Sequence, residues 1–179
     1  MLWASTRSCC TAALHSENSV SDLFLRRKWT LKAGNKQVVF VKKPIEHSSH
    51  ILMKAYLWAL YLPHYPDLSV EVGVGDRYKP DVIACAADGR PVFWGEAGKV
   101  SVEKIRSLAR RYRQTHFAVA KWQSSIAPIT SIVREAVAGL HRSAPFDVLR
   151  FTAESAERFI DQNGCLHLTH DDVEWTRIW

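Results

Sequence analysis

The chain has 179 residues, 47% of them hydrophobic and 23% charged, with a formal net charge of +6. That mixture belongs to a soluble globular domain rather than a disordered or fibrous chain, and the length suits one domain. The longest apolar stretch, 51–62, is broken by Lys54 and is far shorter than the ~20 residues of a membrane-spanning helix.

Residues 1–25 carry Arg7 as their one Lys or Arg, which makes a poor targeting peptide. They read as a loosely ordered extension, with 26–179 as a single domain. In 26–43, two β-rich runs flank Gly34-Asn35, the dipeptide of a tight hairpin. Pro44 stops the second run. Ser48 or Ser49 then caps a helix whose apolar positions Ile51, Leu52, Ala55, Trp58, Ala59 and Leu62 recur at helical spacing up to Pro63. Residues 68–74 read as a strand, and 79–87 and 91–97 as a hairpin around Asp88-Gly89.

Ser101 is an N-cap, with Glu103 in the first turn of a helix over 102–113. A strand over 116–122, an amphipathic helix over 126–140, a strand over 146–151 and a short helix over 154–162 follow. A last strand over 165–170 is opened by Asn163-Gly164. Strands alternating with helices in the middle of the chain predict an α/β fold. Its mixed sheet is covered by helices on both faces, with an N-terminal β-hairpin attached.

The segment KPDVIACAADGRPVFWGEAGK, 79–99, carries the chemistry. With Asp88 and Gly89 as a two-residue loop, counting back along both strands sets Asp81 opposite Glu96, with Cβ atoms about 4.5–5.5 Å apart. Like charges so placed repel unless a cation lies between them. Mg²⁺ or Mn²⁺ answers that need, because such an ion takes one or two carboxylates and fills its remaining positions with water and substrate phosphate. The backbone carbonyl of Ala97 offers a third protein oxygen. A metal there activates water and stabilises charge on a phosphoryl group, as phosphodiester hydrolysis requires.

Lys104, early in the following helix, is the favoured lysine for orienting the nucleophile or neutralising charge, with Lys99 second. On the same helix Val102, Ile105, Leu108, Ala109 and Tyr112 form the packing stripe. Arg106, Arg110 and Arg113 form a cationic one suited to a phosphate backbone.

Other polar residues have plainer readings. Three-residue spacing on a strand sends His167 and His170 to opposite faces, which excludes joint metal ligation. The seven tryptophans and Tyr112 are packing residues. Asp147, Asp171 and Asp172 have no partner that spacing assigns. Cys9, Cys10, Cys85 and Cys165 show neither a CxxC pair nor zinc-ligand spacing, so free thiols in the reducing cytoplasm are expected.

Pro80-Asp81, a β-turn and then Glu96 on the next strand resemble the PD-(D/E)XK nuclease superfamily. FWGEAGKVSVEKIRSLARRY resembles the corresponding stretch of its YaeQ-like members, where the lysine is displaced onto the helix in a motif like Glu103-Lys104-Ile105. The resemblance extends weakly over 26–175. It implies a three-layer restriction-endonuclease-like core and a metal-dependent nuclease acting on DNA or RNA. Asp81 and Glu96 would hold the ion, and Lys104 or Lys99 would be the catalytic cation.

Two positions depart from the pattern. Gly98 stands at the usual lysine position, and where such folds often carry a metal-supporting glutamate the first helix offers Glu46 at its start and Ser49 just inside. The alternative reading is therefore a catalytically inactive nuclease-fold module that binds nucleic acid, a protein partner or a second copy of itself.

Overall fold

In a computed structural model of the protein, the structure describes residues 25–179. Most of the extension expected at the N-terminus, with Cys9 and Cys10, lies outside the described residues. Strands β1 (Lys28–Ala33) and β2 (Lys36–Val41) pair antiparallel, with Ala33 opposite Lys36. Gly34 takes the positive φ, +55°, that the turn needs. Strand alternation turns Trp29, Leu31, Ala33 and Phe40 inward.

Helix α1 (Ser48–Tyr61) lies between this hairpin and the main sheet, so every residue from Ile51 to Tyr61 is buried, Lys54 included. The chain continues through β3 (Ser69–Val70), β4 (Val82–Cys85), β5 (Pro91–Ala97), α2 (Val102–Arg111), β6 (His116–Trp122), α3 (Ala127–Val137), β7 (Phe146–Phe151), α4 (Ser155–Phe159) and β8 (Glu174–Ile178). The sheet runs in the order β3-β4-β5-β6-β7-β8, with β5, β6 and β7 parallel and the outer pairs antiparallel.

Side chains alternate across β5. Phe93 and Ala97 join Val82, Ala84, Ala118, Ala120, Leu149 and Phe151 in the core under α1. Trp94 joins Ile83, Phe117, Val119 and Val148 against Ile105 and Leu108 of α2 and Ile129 and Val133 of α3. The expected mixed sheet between helix layers, with an appended hairpin, is the observed one. No helix of the described residues is long and apolar enough to cross a membrane. Cys85 and Cys165 are free thiols.

Two of the expected strands differ, and the expected Ser48 or Ser49 cap gives way to His47, which makes no side-chain capping bond. The strand expected over 68–74 shrinks to Ser69–Val70, because Glu71 turns to a positive φ of 56° and leaves the sheet. The strand expected over 165–170 does not form. Cys165 and Leu166 make only isolated bridges, to Lys32 and Ile160, and His170–Asp172 is a 3-10 turn fastened by Asp172 Oδ2 to the Thr169 N–H and hydroxyl. The final strand is β8, antiparallel to β7; its half-exposed residues lack the apolar signal of the buried strands.

The bridge to β1 makes Gly164 indispensable. Its φ is +73° and a Cβ there would lie 2.8 Å from the Thr30 carbonyl oxygen. Gly164→Ala is expected to lower unfolding stability by about 2 kcal/mol, the cost of αL strain plus the clash, measurable by urea denaturation.

Candidate functional site

Asp81 and Glu96 meet at the open end of the β4–β5 hairpin. Val82 pairs with Gly95, Ile83 with Trp94 and Ala84 with Phe93, and one further step sets Asp81 beside Glu96. The bonds bracket that residue: the Asp81 N–H donates to the Gly95 carbonyl at 3.1 Å, and the Ala97 N–H donates to Asp81 Oδ2 at 2.8 Å.

The hairpin reaches this register by another route than a two-residue loop. The Ala86 N–H donates to the Arg90 carbonyl, leaving three residues in the loop, and Asp88 Oδ1 accepts from the Arg90 N–H. A bulge between Ala84 and Cys85 then absorbs the odd residue. The two offsets cancel.

Glu96 follows Trp94 onto the α2 side of the sheet and is only 6% exposed. Its Oε1 accepts from Trp94 Nε1 at 2.6 Å and lies 2.6 Å from Lys104 Nζ. Ser101 fixes the start of α2 by accepting from the Lys104 N–H at 3.1 Å, which holds that lysine in the first turn above the strand end. Burial pushes the Glu96 carboxyl above its ordinary pKa, the Lys104 and Trp94 bonds oppose the rise, and the Asp81 charge adds to it.

Lys99, in contrast, is exposed and makes no ion pair among the described residues. Its neighbour Lys121 donates to the Gly98 carbonyl at 2.8 Å and is held below its usual pKa by burial and by the Lys99 charge. At Ala97 it is the N–H, not the carbonyl, that the structure ties to Asp81.

The other side of Asp81 was not anticipated. Lys54, 2% exposed, reaches from α1 to Glu46 Oε1 at 2.6 Å and Glu71 Oε1 at 2.5 Å. The same Glu46 oxygen is 2.8 Å from His50 Nδ1, and His50 Nε2 is 3.7 Å from Asp81 Oδ2. Burial works upward on Glu46, but bonds from Lys54 and His50 hold its pKa down at about 2. The Asp81 carboxylate raises the His50 pKa against the effect of burial.

Glu71, a non-glycine residue in the left-handed region at a cost of about 1–2 kcal/mol, donates its N–H to the Asp81 carbonyl at 2.9 Å. Glu46, expected as a supporting residue, bonds to Lys54 and His50. The visible signal was one lysine inside an otherwise apolar helix.

The arginine stripe of α2 lies away from this mouth. At 3.6 residues per turn, Arg106 stands roughly 160° round the helix from Lys104, and Arg113, expected on the same helix, lies past its end at Arg111. Arg106 pairs with Glu135 of α3, and Arg113 Nε donates to the Arg110 carbonyl at 3.4 Å. The flank that carries Lys104 carries Ser107 and Arg111 instead. Arg111 is paired with Asp76, and Arg77 packs 4.6 Å over the Tyr78 ring and donates to Ser107. Lys104 Nζ is 5.4 Å from the centre of that ring.

On β7, two strands from β5, Asp147 is fully buried. It accepts from Tyr61 at 2.7 Å and from Arg177 twice at 2.8 Å, and lies 2.8 Å from His116 Nε2. His170, expected on a strand, packs its ring on Tyr61 and Trp175.

No protein-family profile matches the chain, and no curated protein is significantly similar to it in sequence. Solved structures do match. The YaeQ protein from Xanthomonas axonopodis pv. citri aligns with a TM-score of 0.52 and 16% identity over 74% of this chain and 76% of that one. The YaeQ protein from Pseudomonas syringae aligns with a TM-score of 0.54 and 15% identity over 74% of each chain. The chain shares its fold with YaeQ proteins. At these identities the likeness carries the fold alone.

Proposed function

We propose that the protein is a divalent-metal-dependent phosphodiesterase acting on nucleic acid, a PD-(D/E)XK-type nuclease. In this reading Asp81 and Glu96 share one Mg²⁺ or Mn²⁺, and Lys104 stabilises charge at the reacting phosphate. The observation that carries it is the convergence of two carboxylates from neighbouring strands, one of them buried, at a strand end where a helix-borne lysine already waits.

The donor set suits a hard cation. Among the described residues Asp81 Oδ1 and Glu96 Oε2 have no hydrogen-bond partner, and Mg²⁺ is commonly held by two carboxylates, with waters and phosphate completing its shell. Among the described residues no group of three or more His, Cys, Asp or Glu side chains could hold a metal, so this would be a two-carboxylate site, with the Ala97 carbonyl proposed as a further oxygen. A bound metal would supply an activated water and charge neutralisation. Lys104 opposes the rise in pKa that burial imposes on Glu96, and the Ala97 N–H donates to Asp81. In this reading Arg77 and Lys104, rather than Arg106, Arg110 and Arg113, would meet a phosphate backbone beside the site.

Isothermal titration with Mn²⁺ tests the reading: one binding event in the wild type, silence in Glu96→Gln. That variant should keep or raise the thermal midpoint. A carboxyl whose folded pKa is raised binds its proton more firmly folded than unfolded, so the ionised form costs stability at neutral pH. A silent wild type contradicts the proposal.

The second reading is a catalytically inactive module that binds nucleic acid or a protein partner. It is favoured by the full occupation of Glu96 Oε1 by Lys104 and Trp94. It predicts salt-dependent binding of oligonucleotides without turnover.

A further inference from the structure

We propose that Lys54 is the positioning residue for the Asp81 half of the site, an inference that rests on the metal-site reading above. Two arms run from its ammonium group, and both end on Asp81. One passes through Glu71, whose side chain accepts from Lys54 at 2.5 Å and whose backbone N–H, turned inward by the left-handed conformation, holds the Asp81 carbonyl at 2.9 Å. The other passes through Glu46, whose shared oxygen takes Lys54 at 2.6 Å and His50 Nδ1 at 2.8 Å. That bond turns His50 Nε2 toward the Asp81 carboxylate, 3.7 Å away.

The arms come from separate parts of the chain, so a shift of either carboxylate away from Lys54 releases Asp81 from that side. Stability alone does not account for the arrangement. A buried ion-pair triad is commonly matched or bettered by apolar residues of similar volume. Methionine at position 54 would continue an apolar helix whose neighbours Ile51, Met53, Ala55 and Leu57 are all buried. What the ammonium adds is a fixed geometry for two carboxylates that would otherwise repel each other and swing into solvent.

The test is Mn²⁺ affinity, read from the electron paramagnetic resonance signal of free aqueous Mn²⁺, in Lys54→Met, with a thermal melt to establish folding. Through-space electrostatics and positioning predict opposite signs. Removing a positive charge near a cation site tightens binding by Coulomb's law, whereas loss of positioning weakens it, here by an expected tenfold or more. The double variant Lys54→Met with Glu71→Gln removes one charge of each sign, leaves less unpaired charge in the core and should show the same loss. Arg177→Met, on the edge strand β8 three strands from β5, is the control for destabilisation and should bind Mn²⁺ like the wild type.

Unchanged or tighter binding in either folded Lys54 variant overturns the proposal, as does an equal loss in Arg177→Met. Failure of both Lys54 variants to fold assigns the residue to stability and overturns it too. A wild type that binds no Mn²⁺ removes the metal-site reading itself, whereas a wild type that binds Mn²⁺ no better than folded Lys54→Met removes only this inference.

Discussion

Asp81→Ala is expected to reduce Mn²⁺-dependent cleavage of a DNA and RNA panel to background, a fall of about 100-fold or more. That is the scale on which removing one preorganised electrostatic partner slows a reaction. Asp81 supplies one of the two carboxylates at the strand end and also accepts the Ala97 N–H at 2.8 Å. Alanine removes both interactions. Asp81→Asn keeps an oxygen for that N–H and removes only the charge, so an equal loss in the asparagine variant assigns the effect to the metal rather than to a displaced strand. Cleavage that survives in Asp81→Ala contradicts the assignment.

The largest expected effect on stability lies on β7, two strands from β5. Asp147→Ala should lower unfolding free energy by about 3–5 kcal/mol in urea denaturation, because it strips the partner from charges packed around a buried site. Its carboxylate is 0% exposed and is engaged by Tyr61, His116 and the Nε and Nη2 of the Arg177 guanidinium. Burial works to raise its pKa, but the bonds from Arg177 and His116 win and hold it far below the usual carboxylate range. The sign of the pH dependence follows. A carboxyl depressed in the folded state contributes stability that is complete above its unfolded pKa, about 3.9, and is lost as pH falls toward the folded value. The wild type should therefore lose stability below about pH 4 more steeply than Asp147→Ala.

The sequence was most legible where burial is two-sided or where short-range chemistry sets the geometry. The strands β5, β6 and β7 read as apolar runs because helices cover both faces, and Ser101 announced α2 through its cap. The facing of Asp81 and Glu96 was readable even though the turn was wrong, since side-chain alternation locks the register of a half-buried hairpin. The bulge near Cys85 restored what the longer loop displaced.

Pairs made across the chain were not legible. Lys54 meets Glu46 eight residues back and Glu71 seventeen residues on, and Asp147 meets Arg177 thirty residues away. No local period encodes such contacts. The left-handed Glu71 was hidden too, because nothing short of the Lys54 and Asp81 bonds calls for a glutamate in that conformation. On α2 the spacing of Arg106, Arg110 and Arg113 defined a stripe but not its direction, and only the packing of Ile105 and Leu108 into the sheet shows that Lys104 faces Glu96 while Arg106 faces Glu135.

The most direct measurement is a crystal structure of the protein soaked in Mn²⁺, read from anomalous scattering. One peak is expected between Asp81 and Glu96, about 2 Å from an oxygen of each, with Lys104 beside it. No peak there at saturating Mn²⁺, or carboxylates turned to opposite sides of the sheet, would leave the YaeQ-like fold standing and remove the phosphodiesterase.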